Sequence, residues 1–372
     1  MEKLVFSYRD IGNAPRLAWS VRKMYISFRG IVLAWGIYIV FTYIALMFTQ
    51  IRSEVGIVNL FRYFEFFPCL LTTSPGFLSW SIWIIGILIS SCVLLLTATS
   101  VARIAFEDLR GNDIFHAKEA LQFSGSQRFP IILSLIILCF MSLLFPISFS
   151  LTGILGRIPV LGELGVAFFS FPLFFWSLLG FFVFIVFIFG IALIPAIIAC
   201  TGEDILEIII QTFSSVFTQP LRLIVYEGVA KAVMFFCAFI IAVVSFLAIH
   251  SMNVTIGLLM GYKYSEMLTI ALYRLPYIMD SPPLVSTIIG LGELLVIPYI
   301  VDTVSVSPVI QVSGWILGIS LLLIFTWLVS YLFSMFYSSQ VLIYLAVRKH
   351  KNGDDLRQKY QIKPIITESP AQ

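Results

Sequence analysis

The sequence predicts an all-α polytopic integral membrane protein with about six transmembrane helices, arranged as three hairpins. Of its 372 residues 60% are hydrophobic and only 12% are charged, whereas about a quarter of the residues in soluble domains are charged. The chain also contains several uncharged runs of the length that a helix needs to cross a hydrocarbon core of about 30 Å, which is about 20 residues. Lipid is therefore the main solvent of this protein.

The uncharged runs give the positions of the spans. They are residues 30–50, 76–102, 129–156, 164–202 and 232–262, with a sixth run inside 303–347. The run 164–202 is too short for two spans and a turn, which need more than about 40 residues. We therefore predict one tilted helix there, kinked at Pro172 or Pro195. The apolar stretch 284–301 is interpreted as an interfacial or re-entrant element within a long extracytoplasmic insertion, residues 251–312.

The basic residues predict the orientation. With the N-terminus inside, 17 of the 23 Lys and Arg residues fall on the cytoplasmic side, as the positive-inside rule requires. Both termini are then cytoplasmic, and the setting is a membrane such as the bacterial cytoplasmic membrane. The resulting segments are a cytoplasmic N-terminus (1–29), hairpins at 30–102, 129–202 and 223–347, cytoplasmic segments at 103–128 and 203–222, and a basic cytoplasmic tail (348–372).

Two polar-striped segments between the hairpins resemble one another. Each opens with Gly-x-Asp-Ile, at Gly111 and at Gly202, and Ser124 aligns with Ser215 in the same register. A third segment, residues 13–29, matches in its polarity pattern alone. The chain is therefore predicted to contain an internal repeat, in which an in-plane amphipathic cytoplasmic helix precedes each transmembrane hairpin.

The third of these helices presents a polar face made of Asp204, Glu207, Gln211 and Ser215, which recur at intervals of three or four residues. Two interpretations stay open. The helices rest at the headgroup level and anchor the hairpins, or their polar faces dock a cytoplasmic protein partner such as an ATPase or another subunit. The acidic residues favour docking, because anionic lipid would repel them.

Three ionisable residues near membrane depth are candidate functional groups, because charge is costly there. Glu227 and Lys231 share a helix face, either as a pair that neutralises itself near the interface or as a gate or headgroup site. Glu293 follows two glycines, and Gly290-Leu-Gly292-Glu293 resembles the Gly-x-Gly-Asp element of intramembrane aspartyl proteases. The acid is Glu here and no adjacent span supplies a partner aspartate, so Glu293 is interpreted as lining an outward cavity.

The remaining patterns bound the function. The sequence has no GxxxxGK[ST], GxSxG or HExxH motif, and its five cysteines lack metal-ligand spacing. We expect no catalytic residues, no metal and no cofactor, and the net charge of +3 does not indicate a nucleic-acid partner. The prediction is a non-catalytic subunit or scaffold of a membrane complex, in contact with lipids and a protein partner. The alternative is a permease for an apolar or lipid-like solute, and an intramembrane enzyme ranks last.

Overall fold

A computed structural model describes residues 6–49, 66–71, 75–112, 114–273, 307–353 and 356–359. Over these ranges the protein consists of helices and their connections. In chain order the helices are α1 (Tyr8–Ile11), α2 (Ala14–Ala18), α3 (Val21–Leu46), α4 (Phe77–Arg110), α5 (Ala117–Ser126), α6 (Arg128–Leu155), α7 (Leu161–Phe168), α8 (Ser170–Thr201), α9 (Ile205–Thr218), α10 (Pro220–Met260), α11 (Tyr262–Tyr273), α12 (Pro308–Asn352) and α13 (Leu356–Lys359).

Six of these helices are long and apolar enough to cross a membrane: α3, α4, α6, α8, α10 and α12. Each of the six predicted uncharged runs supplies the body of one of them. The prediction of an all-α, multi-pass membrane protein is confirmed. The stretch 284–301, with Glu293, lies outside the described residues.

Two helix boundaries differ from the prediction. Residues 21–29 form no separate helix and are instead the first turns of α3, while α2 ends before them at Ala18. The run 164–202 is divided between α7 and α8, with Pro195 inside α8. Pro172 lies in the first turn of α8, where a missing amide costs no intrahelical hydrogen bond.

The two Gly-x-Asp-Ile segments share a backbone feature. Gly111 follows the last residue of α4 with φ of 85°, and Gly202 follows the last residue of α8 with φ of 63°. Both are left-handed conformations, which glycine adopts without the steric cost that a Cβ imposes. In each case a short helix follows, and the next long helix has a proline in its first turn, Pro130 in α6 and Pro220 in α10.

The chain divides into two compact units. The first unit comprises residues 1–27, 94–234 and 331–372, and the second comprises 28–93 and 235–330. In the first unit, Val101 and Ile104 of α4 belong to a buried cluster with Tyr337 of α12. In the second unit, Ala45, Leu46 and Leu70 form a buried cluster.

Close packing between α6 and α8 is another feature of the first unit. A Cβ atom placed on Gly180 of α8 would lie 2.6 Å from Cγ of Phe145 in α6. A Cβ atom on Gly190 would lie 2.9 Å from Cδ1 of Leu138. Small residues are what allow membrane helices to approach this closely.

The polar stripe at the start of α3 faces into the first unit. Lys23 and Ser27 are fully buried, whereas Val21 and Tyr25 are 74% and 50% exposed. Lys23 has an acidic partner inside the protein, Asp108 of α4, which a buried charge requires. The Ser27 hydroxyl has no hydrogen-bond partner among the described residues.

The same orientation occurs in α9. Thr212 and Ser215 are buried, whereas Leu206, Ile210 and Phe217 are 73%, 59% and 72% exposed. Glu207 and Thr218 are exposed as well, and Ile208 and Val216 are buried. Both surfaces of α9 therefore carry apolar and polar side chains, and part of its polar stripe is used within the protein.

Candidate functional site

A polar network joins the middle of α9 to the C-terminal end of α12 in the first unit, and Gln211 is at its centre. The side-chain carbonyl oxygen of Gln211 accepts a hydrogen bond from Arg348 Nη1 at 2.9 Å and another from the Tyr344 hydroxyl. Arg348 Nη1 also lies 2.6 Å from the Tyr344 oxygen. The amide of Gln211 is therefore held in one orientation by two residues of α12.

The other end of the same amide contacts two acids. Nε2 of Gln211 donates to Oε1 of Glu207 at 3.0 Å, and it also donates to the carboxylate of Glu203. One neutral side chain thus separates an acidic end of the network, on α9 and the residues before it, from a basic end on α12. Hydrogen bonds of this kind to charged groups are stronger than those between neutral groups.

A cavity of about 90 Å³ opens beside this network, lined mainly by polar side chains. Lys351 closes one side of it and donates a hydrogen bond to the Ser214 hydroxyl of α9. The full lining consists of Glu207, Ile210, Gln211, Ser214, Ser215, Tyr344, Val347, Arg348 and Lys351. The cavity has hydrogen-bond donors, acceptors and charges of both signs in its wall.

The network lies next to the first charged residues that follow the uncharged part of two long helices, α8 and α12. The run 164–202, which ends with α8, is followed at once by Glu203, and α12 carries no charged side chain before Arg348. Charged residues at the end of an apolar span are expected at the headgroup level. We therefore expect the cavity to lie at a membrane surface.

The four residues of the predicted docking face have different surroundings. Asp204 and Glu207 are exposed. The side chain of Gln211 is bonded to Tyr344 and Arg348. Ser215 is buried, and its hydroxyl donates to the backbone carbonyl oxygen of Gln211 at 2.7 Å. Only the N-terminal half of that face is thus available to a partner, and its role in docking stays a prediction.

The predicted pair Glu227 and Lys231 is brought together on α10. Lys231 Nζ lies 3.8 Å from Oε2 of Glu227, with the lysine side chain 62% exposed and the glutamate 5% exposed. Within the described part of the chain, Oε1 of Glu227 has no hydrogen-bond partner. The side-chain nitrogen and oxygen of Gln340 are also buried without a hydrogen-bond partner among the described residues. A half-satisfied buried carboxyl is costly, so this position is not an ordinary surface ion pair.

Sequence reasoning missed a buried charge cluster at the C-terminal end of α4. Asp108 Oδ2 lies 2.8 Å from Nζ of Lys23, whose side chain is fully buried, and Asp108 Oδ1 lies 3.4 Å from Nη2 of Arg22. Arg22 also donates to the carbonyl oxygen of Phe115 at 2.8 Å. No local sequence signal reports these contacts, because their partners are far apart in the chain.

Arg103, earlier in α4, makes a second set of contacts. Its Nη2 lies 2.7 Å from Glu107 Oε1 and its Nη1 donates to the carbonyl oxygen of Ala199 at 2.8 Å. Its guanidinium lies 4.6 Å from the centre of the Phe123 ring, within the range of a cation–π contact. Arg103 and Glu107 are four residues apart directly after an uncharged run, and this spacing could have predicted the ion pair between them.

Metal ligation has no support in the described ranges, which contain no group of three or more His, Cys, Asp or Glu side chains able to hold an ion. What the described sites can do is pair charges, donate and accept hydrogen bonds, and bind a small polar group. Comparisons with protein-family models, with curated proteins and with solved structures found no match to this chain.

Proposed function

We propose that this multi-pass membrane protein is a non-catalytic subunit or scaffold of a membrane complex. The observation that carries the proposal is the exposure of α10. None of the 18 residues in its most apolar window is buried, whereas half of the corresponding window in α8 is buried. α10 thus offers a long membrane-facing surface that another protein can cover.

Small residues on the exposed side of α10 support a helix partner rather than lipid alone. Gly228 and Ala232 are both exposed and are spaced by four residues, so they lie on one face. A Cβ placed on Gly228 would meet no atom within 4 Å. Glycine inside a helix costs roughly 0.5–1 kcal/mol relative to alanine, and pairs of small residues four apart let membrane helices pack closely.

The test is a steric block that leaves the isolated chain unchanged. Because Gly228 has open space around it, Gly228→Leu should not disturb the fold, but it should prevent close approach of a partner helix. The matched control is Gly153→Leu in α6, where the glycine is also exposed and has nothing within 4 Å, but has no small residue four positions away.

The measurement is the stoichiometry of proteins that co-purify in mild detergent, followed by native mass spectrometry. We expect a fixed partner with the wild type and with Gly153→Leu, and its loss with Gly228→Leu. A monodisperse wild-type protein that carries only lipid would contradict the proposal.

One observation favours the second candidate, a permease for an apolar or lipid-like solute. An apolar cavity of about 570 Å³ lies among the end of α6, α7 and the start of α8, with Gly165, Leu173 and Trp176 in its wall. Its volume falls in the range of small-molecule sites, which are lined mainly by apolar and aromatic side chains.

This candidate has its own test. Gly165 lines the cavity and a Cβ there meets nothing within 4 Å, so Gly165→Leu should fill the cavity without a clash. A solute site would be supported if Gly165→Leu retained less of a fluorescent fatty acid than the wild type while Gly153→Leu retained as much as the wild type. If both variants retained as much as the wild type, this cavity would be excluded as the site.

A further inference from the structure

We propose that the 90 Å³ cavity between α9 and the C-terminal end of α12 binds the phosphoethanolamine headgroup of a zwitterionic phospholipid. In this assignment Lys351 and Ser214 bind the phosphate, and Glu207 binds the ammonium group. The site is independent of the proposed subunit role, because it lies on α9 and α12 and does not involve Gly228 of α10.

The charges in the wall select this headgroup class. Lys351 and Arg348 line the cavity together with Glu207, and Glu203 is joined to the same network through Gln211. A ligand with only negative charge would be repelled by the carboxylate of Glu207, and a ligand with only positive charge would be repelled by the ammonium group of Lys351. A headgroup that carries one charge of each sign can satisfy both ends.

The spacing along α9 agrees with this arrangement. Glu207 and Ser214 are seven residues apart, which is about 10 Å along a helix axis at 1.5 Å per residue. Both line the same small cavity, so their side chains approach one ligand from opposite ends. Phosphate and ammonium groups that are separated by two carbons fit between such ends.

The hydrogen-bonding groups are held in place before any ligand arrives. Gln211 is bonded on one side to Tyr344 and Arg348 and on the other to Glu207, which fixes the wall between the two ends. A lysine ammonium has three donors, and Lys351 already points to Ser214. Groups that are ordered in advance lose less entropy on binding.

The surroundings fit a membrane lipid rather than a soluble ligand. The cavity lies at the level where α12 reaches its first charge, Arg348. Ile210 lines it and is 59% exposed, and Leu206, one turn earlier, is 73% exposed. These side chains offer an apolar surface next to the polar cavity, along which acyl chains can lie.

The test uses the full chain in detergent, titrated with defined lipids and followed by native mass spectrometry. We expect phosphatidylethanolamine to bind several times more tightly than phosphatidylcholine, whose quaternary ammonium cannot donate a hydrogen bond to Glu207. Lys351→Ala should weaken phosphatidylethanolamine binding about tenfold, the loss expected from one hydrogen bond between charged groups.

Two variants separate this site from general attraction between bases and lipid. Lys349→Ala removes the same charge from the same helix end but does not line the cavity, so it should change the affinity less than twofold. Glu207→Gln should remove the preference for phosphatidylethanolamine over phosphatidylcholine. If Lys351→Ala fails to fold, Ser214→Ala is the replacement and should also weaken binding.

Three results would overturn the assignment. Equal losses in Lys349→Ala and Lys351→Ala would show a diffuse basic surface. Tighter binding of phosphatidylglycerol than of phosphatidylethanolamine would show that the site selects anionic headgroups. Binding of inorganic phosphate or soluble phosphoethanolamine as tight as that of the lipid would show that the ligand needs no acyl chains.

Discussion

The amine of Lys23 lies 2.8 Å from Oδ2 of Asp108, and the lysine side chain is completely buried. The two residues come from different long helices, α3 and α4, and the pair is completed by Arg22 at 3.4 Å from the other carboxylate oxygen. A lysine buried in this way needs its partners, because an uncompensated charge in a low-dielectric interior is strongly destabilising.

The first prediction concerns this ion pair. Asp108→Ala should lower the free energy of unfolding by about 3 kcal/mol, since it leaves Lys23 charged and buried. The double variant Lys23→Met with Asp108→Leu should recover most of that loss, because it removes both charges. Thermal unfolding in detergent measures both, and a double variant no more stable than Asp108→Ala alone would contradict the interpretation.

The second prediction tests whether Arg103 acts through its planar guanidinium. Arg103→Lys keeps the charge but cannot reach Glu107, the carbonyl of Ala199 and the Phe123 ring together. We expect a loss of about 2 kcal/mol in stability. Arg128→Lys, at an exposed position, is the control and should stay within about 0.5 kcal/mol of the wild type.

The third prediction concerns the contact between α6 and α8. Gly180→Ala places a methyl group 2.6 Å from Cγ and 2.8 Å from Cβ of Phe145. Because Cβ is fixed to the backbone, the phenylalanine cannot simply swing away, and overpacking of this kind costs about 1–3 kcal/mol. Gly153→Ala, with open space at the same kind of helical position, should be neutral or slightly stabilising, as read from melting temperatures.

The fourth prediction follows from the two left-handed glycines. Gly111→Ala and Gly202→Ala should each cost about 1–2 kcal/mol, because an L side chain is disfavoured at positive φ. At Gly202 the nearest atom to a new Cβ is 3.9 Å away, so conformation rather than collision explains the loss there. Gly125→Ala, which has open space inside α5, should show no such loss in the same unfolding assay.

The fifth prediction addresses orientation. In a variant without the five native cysteines, a membrane-impermeant maleimide should label Tyr262→Cys in intact cells and should not label His350→Cys. Both positions are exposed in the structure, so access depends on the side of the membrane. Labelling of His350→Cys from outside would refute a cytoplasmic C-terminus.

The sequence by itself determined the class of fold. Hydropathy and charge are properties of each local stretch, and a stretch of about 20 apolar residues has few stable alternatives to a membrane-crossing helix. The spacing of Glu227 and Lys231 likewise placed them on one helix face without any knowledge of the rest of the chain.

Only the tertiary structure decided which way the polar stripes face and which residues they meet. In water, a polar stripe would point outward, but in lipid the outward surface is apolar and polar groups find partners inside. Lys23 meets Asp108 of α4, and Gln211 meets Tyr344 and Arg348 of α12, while Glu207 on the same face as Gln211 stays exposed. Such pairings depend on how distant helices pack, and no local pattern in the sequence encodes that packing.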